Sequence, residues 1–549
     1  MPSLPIWLIV LTIALVTFGV YAPALRYEFV YDDYAQIVET RQLSSPAMIP
    51  RYFTGHVWAW KNPGSSGPLY RPVFLLWLLA NQMAFGLAAP WWHLTSILTH
   101  VAATVLVYFV GRRVSGDPAI GAIAALIFGL HPAHVESVAW VSAIPDPLVT
   151  VLLLGSLLCF FAERRWWLWS YVLFAAALLT KEMALVYPAL VFAVTTRGHR
   201  IRVVPYLLIA LVYLGIRRAA LHAFLIAATP IPLATMVQTW PSLLLFYLRH
   251  LLWPAQLSVF YSLPLVTART PQNFWIPAAI IAAAAAGLGW WAWRSRTAAF
   301  AAGLLILPIL PVLNLRAFGR TDTAHDRYLY LSVMGLGLLA ALAIRRLRRP
   351  PVEWALVLAL SSSLAYGTVR QQPYWSDNLS LFLRGAEVAP DNEVANQCLG
   401  ASLMMQGKFT EALPYFLRAL QSDPDMPQSL YSAGRSYYEL GEYAQATAYL
   451  ERAVAATRTK YVFAPAYLYL GLSQWKSGDA DAAERTLRQA IRIKGGDDFR
   501  GFHLALGQVL EAKGDFPSAI AQFQAEIQEN PDPAQARQAI ERIKSAHPR

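Results

Sequence analysis

The stretch "LGASLMMQGKFTEALPYFLRAL", residues 399–420, is followed by three similar segments that align with it without gaps. Each copy has a glycine at its second position, a further glycine seven residues later and an alanine five residues after that. The small residues are Gly400, Gly407 and Ala412; Gly434, Gly441 and Ala446; Gly471, Gly478 and Ala483; and Gly507, Gly514 and Ala519. The first glycine and the alanine allow two helices to approach closely, and the second glycine ends the first helix at its C-cap. The pattern predicts an array of paired helices.

A period of 34 to 37 residues with this pattern resembles the tetratricopeptide repeat (TPR), which stacks into an α-solenoid. The repeats lie near 399–420, 433–454, 470–491 and 506–527, with a partial repeat at 376–392. We therefore assign residues 376–549 to a TPR domain. Such arrays commonly bind a peptide or protein segment on their concave face, and the alternative is a scaffold that only docks on the rest of the chain.

Composition indicates that the remainder is a membrane domain. The chain has 549 residues, 56% of them hydrophobic and 14% charged, against about 25% charged in a typical soluble domain. Residues 1–370 are apolar runs separated by short polar loops. The net charge of +12 is distributed in small clusters between these runs, so no nucleic-acid-binding patch is predicted. The predicted fold class is all-α, with a polytopic helical membrane domain at 1–370 followed by the TPR array.

The basic clusters predict the topology, because short loops rich in Lys and Arg stay on the cytoplasmic side of a membrane. These clusters lie at 112–113, 163–165, 197–202, 294–296 and 345–349. Placing them inside gives eleven spans, near 5–24, 92–111, 119–136, 147–163, 166–180, 183–197, 203–217, 274–293, 298–315, 328–344 and 352–369. The N-terminus then lies in the cytoplasm and the TPR domain outside it. The first run lacks a basic n-region and exceeds a signal h-region in length, so we expect an uncleaved anchor.

Two apolar segments, 71–90 and 240–257, are not expected to span. Making only one of them a span would put some arginine clusters on the wrong side. Arg249 lies in the middle of the second segment, where a charge in the bilayer costs several kcal/mol. We predict two interfacial or re-entrant helices, and the alternative is a pair of additional spans.

This topology places the polar loops that contain the candidate residues on one side of the membrane. The outer loops are 25–91, 131–146, 181–182, 218–273 and 316–327. Because these candidates converge on one face, the sequence predicts a site there.

Two adjacent carboxylates, Asp32 and Asp33, stand in the first outer loop, within "RYEFVYDDYAQIV" at 26–38. Close packing of like charges raises the pKa of one of them or attracts a cation, so a divalent metal could bind the pair. Either state suits a general base that removes a proton from an acceptor hydroxyl. The alternative is a solvated loop in which the pair caps a helix that begins with "DDYAQIV".

Two other outer segments contain titratable residues. "GLHPAHVESVAW", residues 129–140, carries His131, His134 and Glu136, a spacing that could ligate a metal, although Pro132 interrupts it. A break between helix and loop, with the histidines hydrogen-bonded to backbone, is the favoured interpretation. Lys181 and Glu182 predict either an ion pair at a tight turn or a lysine directed at an anionic lipid headgroup.

Arginines in the outer loops point to phosphate. Arg316, Arg320 and Arg327 lie in "NLRAFGRTDTAHDRYLYLS" at 314–332, where topology does not explain them. Arg71 in "LYRPVF" is a similar case, and Asp326 precedes Arg327.

The planar guanidinium group binds phosphate with two hydrogen bonds. The sequence has no Walker loop, no GxGxxG entering a helix and no GxSxG. A membrane enzyme that acts on the outer face without nucleotide chemistry needs a lipid-linked activated donor.

Several motifs together resemble one known family. They are "FVYDDYAQIV", "LYRPVFLLW", "WWHLTSILTHVAATVLVY", "FGLHPAHVESVAWVSAIPDPL", "LLTKEMAL", "LWPAQLSVFYS", "HDRYLYLS" and "WSDNLSLFLRGAEVAPDN". In this order, and with the TPR array after them, they resemble the transmembrane and TPR-containing O-mannosyltransferases and their bacterial relatives in the GT-C glycosyltransferase superfamily. The chain departs from that family in "HDRYLYLS", where a Glu often precedes the Arg, and in "IPDPL", where Arg-Ala-Asp is common.

The resemblance implies a GT-C fold whose first outer loop holds the catalytic carboxylate. It implies transfer of mannose or another hexose from a polyprenyl-phosphate carrier to a Ser/Thr hydroxyl of a protein. In this resemblance, Asp32 and Asp33 correspond to the acidic pair in the first outer loop of the family, and Asp32 is favoured as the base. Lys181, Arg327 and Arg71 fall in matching motifs near the donor, and Arg320 is a further candidate to bind its phosphate.

The expected protein is therefore an inverting transferase of the bacterial inner membrane, with its TPR domain in the periplasm and a protein acceptor bound there. One alternative is a membrane-anchored TPR scaffold without enzymatic activity. Another is a GT-C transferase that acts on a lipid or glycan acceptor. No cofactor is predicted beyond the divalent metal that Asp32 and Asp33 could hold.

Overall fold

The structure is a computed structural model, and it describes residues 5–40, 45–59, 67, 69–162, 166–195, 197–222, 231–318, 323–456, 464–493, 501–530 and 532–547. Within these ranges the regular elements are helices and no strand occurs. The chain divides into two compact units, Met1–Arg384 and Gly385–Arg549. The all-α class is confirmed, and the second unit starts inside a helix that begins a few residues before it.

Fourteen long helices form the described part of the first unit. They are α1 Ile6–Tyr21, α2 Pro72–Phe85, α3 Ala89–Ser115, α4 Pro118–Leu130, α5 Pro145–Phe161, α6 Trp167–Thr180, α7 Tyr187–Val194, α8 Val204–Leu221, α9 Leu233–Leu252, α10 Ile276–Arg294, α11 Arg296–Ile306, α12 Ser332–Arg345, α13 Pro350–Gln371 and α14 Asn378–Val388. Short helical turns connect them, including Tyr34–Val38, Pro132–His134, Val135–Ala139, Val141–Ala143, Glu182–Val186, Leu307–Leu313 and Asp326–Leu329. Because α14 ends at Val388, it is shared between the two units.

Seven helical stretches among the described residues are long and apolar enough to cross a membrane. They are Ile6–Arg26, Ala89–Ser115, Val141–Phe161, Arg200–Leu221, Pro271–Arg294, Arg296–Leu313 and Pro350–Trp375. The bent pair Pro118–Leu130 and Pro132–Ala139 makes an eighth if it is one span. Shorter apolar helices at Trp167–Thr180, Glu182–Val194 and Ser332–Arg345 occupy the three remaining positions where a span is expected. The arrangement is compatible with a multi-pass membrane protein.

The two segments not expected to span both form helices. The helix α2 has 14 residues and is shorter than a typical span of about 20. The helix α9 has 20 residues, but it is not among the seven stretches because its polar side chains lower the mean hydropathy. Their position relative to the membrane stays a prediction.

Close helix contacts in the first unit depend on small residues. A Cβ added to Gly335 of α12 would lie 2.5 Å from the carbonyl oxygen of Ala301 and 2.6 Å from the backbone nitrogen of Leu305. Small residues at such positions allow the backbones of membrane helices to approach. The packing of α12 on the helix Arg296–Ile306 therefore requires glycine.

The described part of the second unit consists of four helix pairs followed by one further helix. They are α15 Glu393–Met405, α16 Phe409–Ser422, α17 Pro427–Glu439, α18 Tyr443–Ala456, α19 Ala464–Lys476, α20 Ala480–Ile493, α21 Phe502–Ala512, α22 Phe516–Glu529 and α23 Ala534–Ala546. Each first helix packs on its partner and on the first helix of the next pair. This is the stacking that the repeats predict.

The two roles assigned to the repeated glycines are confirmed. A Cβ on Gly400 would lie 2.7 Å from the ring of Phe416, and the first glycines of the other repeats meet the partner helix in the same way. The second glycine of each repeat has a φ between +75° and +94°, the left-handed conformation of a helix C-cap. The repeated alanines are fully buried.

We expect Gly335→Ala to destabilise the first unit, because the added methyl group meets backbone atoms that cannot move independently. Overpacking of this kind typically costs about 1–3 kcal/mol. Thermal unfolding of the purified protein should show a lower Tm. Gly287→Ala in α10 is the matched control, since no atom outside its own helix lies within 4 Å of an added Cβ. Equal Tm values for the two variants would contradict this packing argument.

Candidate active site

A cavity of about 690 Å³ lies in the first unit. It is lined by groups from six separate stretches of chain, several of them assigned to the outer side of the membrane by the sequence. Its polar and aromatic lining includes Asp32, Trp58, Arg71, Trp140, Ser142, Asp146, Lys181, Glu182, Arg217, Arg327 and Tyr328. The structure thus brings together candidates that are up to about 300 residues apart in the chain.

The two adjacent carboxylates have different environments. Asp32 lines the cavity, whereas Asp33 is fully buried. The carboxylate of Asp33 accepts hydrogen bonds from the backbone N–H of Val30 at 3.1 Å, from the backbone N–H of Ser142 at 2.8 Å and from the hydroxyl of Ser142 at 2.5 Å. Asp33 therefore fastens the loop that carries it to the helical turn Val141–Ala143, and Asp32 is left at the cavity surface.

Burial raises the pKa of Asp33 to about 7, against the effect of the hydrogen bonds from Ser142 and Val30. The charge of Asp32 adds a smaller effect in the same direction. The side chain of Asp33 makes no capping hydrogen bond to the helical turn Tyr34–Val38 that follows it.

Two cations of the cavity wall, Arg71 and Lys181, are each paired with a carboxylate. Arg71 donates to both oxygens of Glu182, at 3.2 and 2.7 Å. Lys181 donates to Asp146 at 2.5 Å. The adjacent Lys181 and Glu182 thus have their main partners elsewhere, and both line the cavity.

Arg327 is held from several directions. Its guanidinium group and its backbone N–H both bond to the buried carboxylate of Glu136. The guanidinium carbon also lies 5.2 Å from the ring centroid of Trp140 and 5.2 Å from that of Tyr328. These contacts fix the direction of the Arg327 side chain at the cavity wall.

Burial lowers the pKa of Lys181, although the nearby carboxylate of Asp146 acts in the opposite direction. Burial acts to lower the pKa of Arg71, but the charges of Glu182 and Asp146 and the hydrogen bonds to Glu182 act in the opposite direction, and the pKa is raised.

Other candidate residues lie away from the cavity wall. The Nε2 atom of His131 is 3.0 Å from the carbonyl oxygen of Leu251, and the Nε2 atom of His134 is 3.1 Å from that of Tyr330. Both histidines are buried, which matches the favoured interpretation of backbone hydrogen bonding. Asp326 is buried too and accepts a hydrogen bond from the hydroxyl of Tyr261 at 2.6 Å.

The segment 314–332 contains two further candidate arginines, Arg316 and Arg320. Arg316 donates to the carbonyl oxygen of Ile231 at 2.7 Å and is not among the lining residues. Arg320 lies outside the described residues.

No group of three or more His, Cys, Asp and Glu side chains suited to a metal occurs among the described residues. Of the pair that could hold a divalent metal, Asp33 already accepts hydrogen bonds from Val30 and Ser142. The hydrogen-bond donors that face it do not fit a cation.

Sequence reasoning missed several residues of the wall, among them Trp58, Trp140, Asp146, Arg217 and Tyr328. Arg217 lies in the last turns of α8, at the end that the predicted topology places outside, where basic clusters are not expected. A basic residue at the predicted outer end of a helix was the signal from which the sequence could have identified Arg217. The aromatic residues gave no comparable signal, because aromatic side chains are frequent throughout the chain.

Comparison with protein families identifies the second unit. The family model for the tetratricopeptide repeat matches residues 399–461 and 466–544. Among solved structures, the crystal structure of YrrB, a TPR protein with an unusual peptide-binding site, is 21% identical, covers 30% of this chain and 82% of that chain, and has a TM-score of 0.26.

Relatives that match beyond the TPR repeats share one description, protein O-mannosyl-transferase. A protein O-mannosyl-transferase of Caenorhabditis elegans is 25% identical over 422 residues, which cover 71% of this chain and 59% of the relative. The protein O-mannosyl-transferase Tmtc2 of Drosophila melanogaster is 32% identical over 182 residues, covering 31% of this chain and 19% of the relative. The protein O-mannosyl-transferase TMTC4 of Homo sapiens is 30% identical over 210 residues, covering 33% of this chain and 28% of the relative.

The matched region spans about three fifths of the C. elegans relative and smaller parts of the other two. The resemblance drawn from the sequence motifs is confirmed by these relatives and by the repeat family. The chain is a TPR-containing homologue of proteins named protein O-mannosyl-transferases.

Proposed function

We propose that this chain is a GT-C type membrane glycosyltransferase. It moves a hexose such as mannose from a polyprenyl-phosphate donor to a Ser/Thr hydroxyl of a protein. The observation that carries the proposal is the cavity in which Asp32 shares a wall with Arg71, Lys181, Arg217 and Arg327, while the other lining carboxylates, Asp146 and Glu182, are paired with Lys181 and Arg71. The names of the relatives support the same class of reaction.

The chemistry requires a base and an anion-binding group in one space. Asp32 takes the proton of the acceptor hydroxyl, and the oxygen forms a bond to the anomeric carbon. The bond between that carbon and the phosphate oxygen of the donor breaks, and the lipid phosphate leaves with the electron pair. Attack from the face opposite the leaving group inverts the configuration of the sugar.

The cations serve the leaving group. Negative charge develops on the phosphate oxygen as the bond breaks, and donors that are already oriented stabilise it without reorganisation. The partners Glu182, Asp146 and Glu136 supply this orientation for Arg71, Lys181 and Arg327 respectively.

Asp32 and Asp33 have different roles in this scheme. Asp32 acts as the base because it faces the cavity, and Asp33 holds the loop because its carboxylate is engaged by Val30 and Ser142. Chain order alone favoured Asp32 for the base. The burial of Asp33 now gives that choice a physical reason.

The site belongs on the extracytoplasmic face in this proposal, in the inner membrane of a bacterium. Support comes from the predicted topology, which assigns the segments 25–91, 131–146 and 181–182 to the outer side. The N-terminus is then cytoplasmic and the TPR unit periplasmic. A scaffold without enzymatic activity would have no need for a cavity with this lining.

The TPR unit is proposed to bind the protein acceptor. Its first helices present aromatic and apolar groups, including Tyr438, whose ring lies 5.4 Å from that of Tyr469. Arg435 lies over the ring of Tyr469 at 5.1 Å, and Met405 is 83% exposed. Aromatic, methionine and arginine side chains are enriched where proteins bind one another.

Replacement of the proposed base should abolish most of the transfer. Asp32→Asn keeps the size of the side chain but removes the proton acceptor, and general-base catalysis contributes about 10²–10⁴-fold to a rate. We expect kcat to fall by that factor and KM for the donor to change little. The measurement is transfer of labelled mannose from a synthetic polyprenyl-phosphate donor to a Ser/Thr peptide. Full transfer by a folded Asp32→Asn protein would exclude the catalytic role.

Replacement of Asp33 should mainly lower the stability of the protein and should reduce the rate of transfer much less. In Asp33→Asn the amide nitrogen faces N–H donors, and a buried hydrogen bond lost in this way costs about 1–3 kcal/mol. We expect a lower Tm and a kcat reduced far less than in Asp32→Asn. A larger rate loss in Asp33→Asn than in Asp32→Asn would reverse the two assignments.

The raised pKa of Asp33 predicts a pH dependence of stability. The folded protein binds the proton more tightly than the unfolded chain, so stability from this group is present below about pH 4 and is lost as pH rises towards 7. The Tm of the wild type should therefore fall between about pH 4 and pH 7 relative to that of Asp33→Asn. Parallel Tm curves for the two proteins over this range would show that Asp33 does not titrate there.

Substitutions in the TPR unit should weaken the binding of a protein acceptor and leave the chemical step of transfer unchanged. We expect the double variant Met405→Ala with Tyr438→Ala to raise KM for a protein acceptor about tenfold, which corresponds to about 1.4 kcal/mol of lost binding. Transfer to a short Ser/Thr peptide should not change. Gln445→Ala, an exposed residue on the second helix α18, is the control. Loss of transfer to both acceptors would argue against recruitment as the role of the unit.

A further inference from the structure

The residue that precedes Asp32 has an unusual backbone conformation. Tyr31 has a φ of +52°, in the left-handed region. A bulky side chain rarely adopts this region, and such conformations persist only where the surroundings determine them. The contacts of Tyr31 therefore set the direction in which the next side chain, Asp32, leaves the backbone.

Helix α14 provides two of those contacts. The backbone N–H of Tyr31 donates to the Oδ1 atom of Asn378 at 2.7 Å. The ring of Tyr31 lies edge to face against that of Phe382, with 5.8 Å between centroids. Asn378 and Phe382 are four residues apart, so they lie on the same face of the helix. A second hydrogen bond, from the N–H of Glu28 to the carbonyl oxygen of Ser376 at 3.0 Å, joins the same loop to the residues just before this helix.

The ring of Tyr31 also contacts two aromatic rings from other segments of the first unit. Its centroid is 5.7 Å from the ring of Phe260 and 5.7 Å from the ring of Trp140. Trp140 lines the cavity and also contacts Arg327. Tyr31 is thus held between helix α14 and the wall that carries the proposed phosphate-binding groups.

We propose that Asn378 and Phe382 are positioning residues for Asp32. They hold Tyr31 in the left-handed conformation, which directs the carboxylate of Asp32 into the cavity. Neither residue is among those that line the cavity in the described part of the chain, so they act on the reaction through Tyr31. This inference rests on the proposed function, because it assigns a catalytic consequence to the direction of Asp32.

The physical reason is the narrow geometry of proton transfer. A general base must lie within hydrogen-bond reach of the hydroxyl that it deprotonates. Misplacement by about 1 Å can cost about 100-fold in rate. Donor binding depends on other segments, which carry Arg71, Lys181 and Arg327. Loosening Tyr31 should therefore reduce kcat and leave KM for the donor unchanged.

The test compares three variants of helix α14 in the full-length protein. Asn378→Ala removes the acceptor for the N–H of Tyr31, and we expect kcat to fall at least about tenfold with KM for the donor within about twofold of wild type. Asn378→Asp restores an oxygen acceptor and should bring kcat back to within about threefold. Leu383→Ala changes a 41% exposed residue of the same helix and should match the wild type. Each kcat is measured per folded protein.

A second measurement reports the position of residue 32 without requiring transfer. In a chain with Cys159 and Cys398 replaced by Ser, Asp32→Cys is labelled with a water-soluble maleimide. We expect addition of Asn378→Ala to change the labelling rate at least about threefold, since the loop that carries residue 32 is no longer held. Addition of Leu383→Ala should not change that rate.

The outcomes separate this inference from the proposed function. Unchanged kcat and unchanged labelling in Asn378→Ala would overturn the positioning role, while transfer by the wild type would leave the proposed function standing. A lower Tm with normal kcat in the folded fraction would show a structural role only and would also overturn the inference. Absence of transfer by the wild type would remove the proposed function, and with it the catalytic meaning of the Tyr31 contacts.

Discussion

Ion pairs between distant segments determine the geometry of the cavity. The pairs are Arg71 with Glu182, Lys181 with Asp146 and Arg327 with Glu136. Each joins parts of the chain that are 35 to 191 residues apart. A charge in a poorly hydrated place is costly unless an opposite charge and hydrogen bonds compensate it, so removal of one partner would leave the other exposed to that cost. The loops at this end of the helices therefore depend on one another.

The same pairs restrict how the cations can serve a reaction. A paired guanidinium or ammonium group attracts an anion less strongly than a free one, but its direction is fixed before the anion arrives. Catalysis benefits from groups that need no reorganisation when charge develops. The aromatic rings of Trp140 and Tyr328 add to this effect at Arg327. In the proposed reaction, the paired cations bind the donor phosphate less strongly than free cations would. Their side chains are, however, already oriented when the phosphate leaves.

The sequence predicted the helical class and the repeats, and it singled out several residues that line one cavity in the structure, because each rests on a local signal. The glycines of the repeats have a fixed spacing, and arginines such as Arg71 and Arg327 stood out against the topology. The partners of these cations could not be predicted, since an ion pair such as Arg327 with Glu136 depends on how distant segments pack. For the same reason, the sequence left open whether Lys181 pairs with its neighbour Glu182 or is directed at a lipid headgroup, while the structure gives the two residues separate partners.

Asp32 and Asp33 differ in environment although they are adjacent in the chain, and this difference bears on the chemistry. Two carboxylates that remain charged so close together would raise the pKa of each other. Burial raises the pKa of Asp33 to about 7, so near neutral pH a large share of Asp33 carries a proton. A protonated Asp33 carries no negative charge and does not repel the neighbouring carboxylate that the proposed function assigns as the base. The residue that fastens the loop to Ser142 thus also bears on the charge balance beside the residue that lines the cavity.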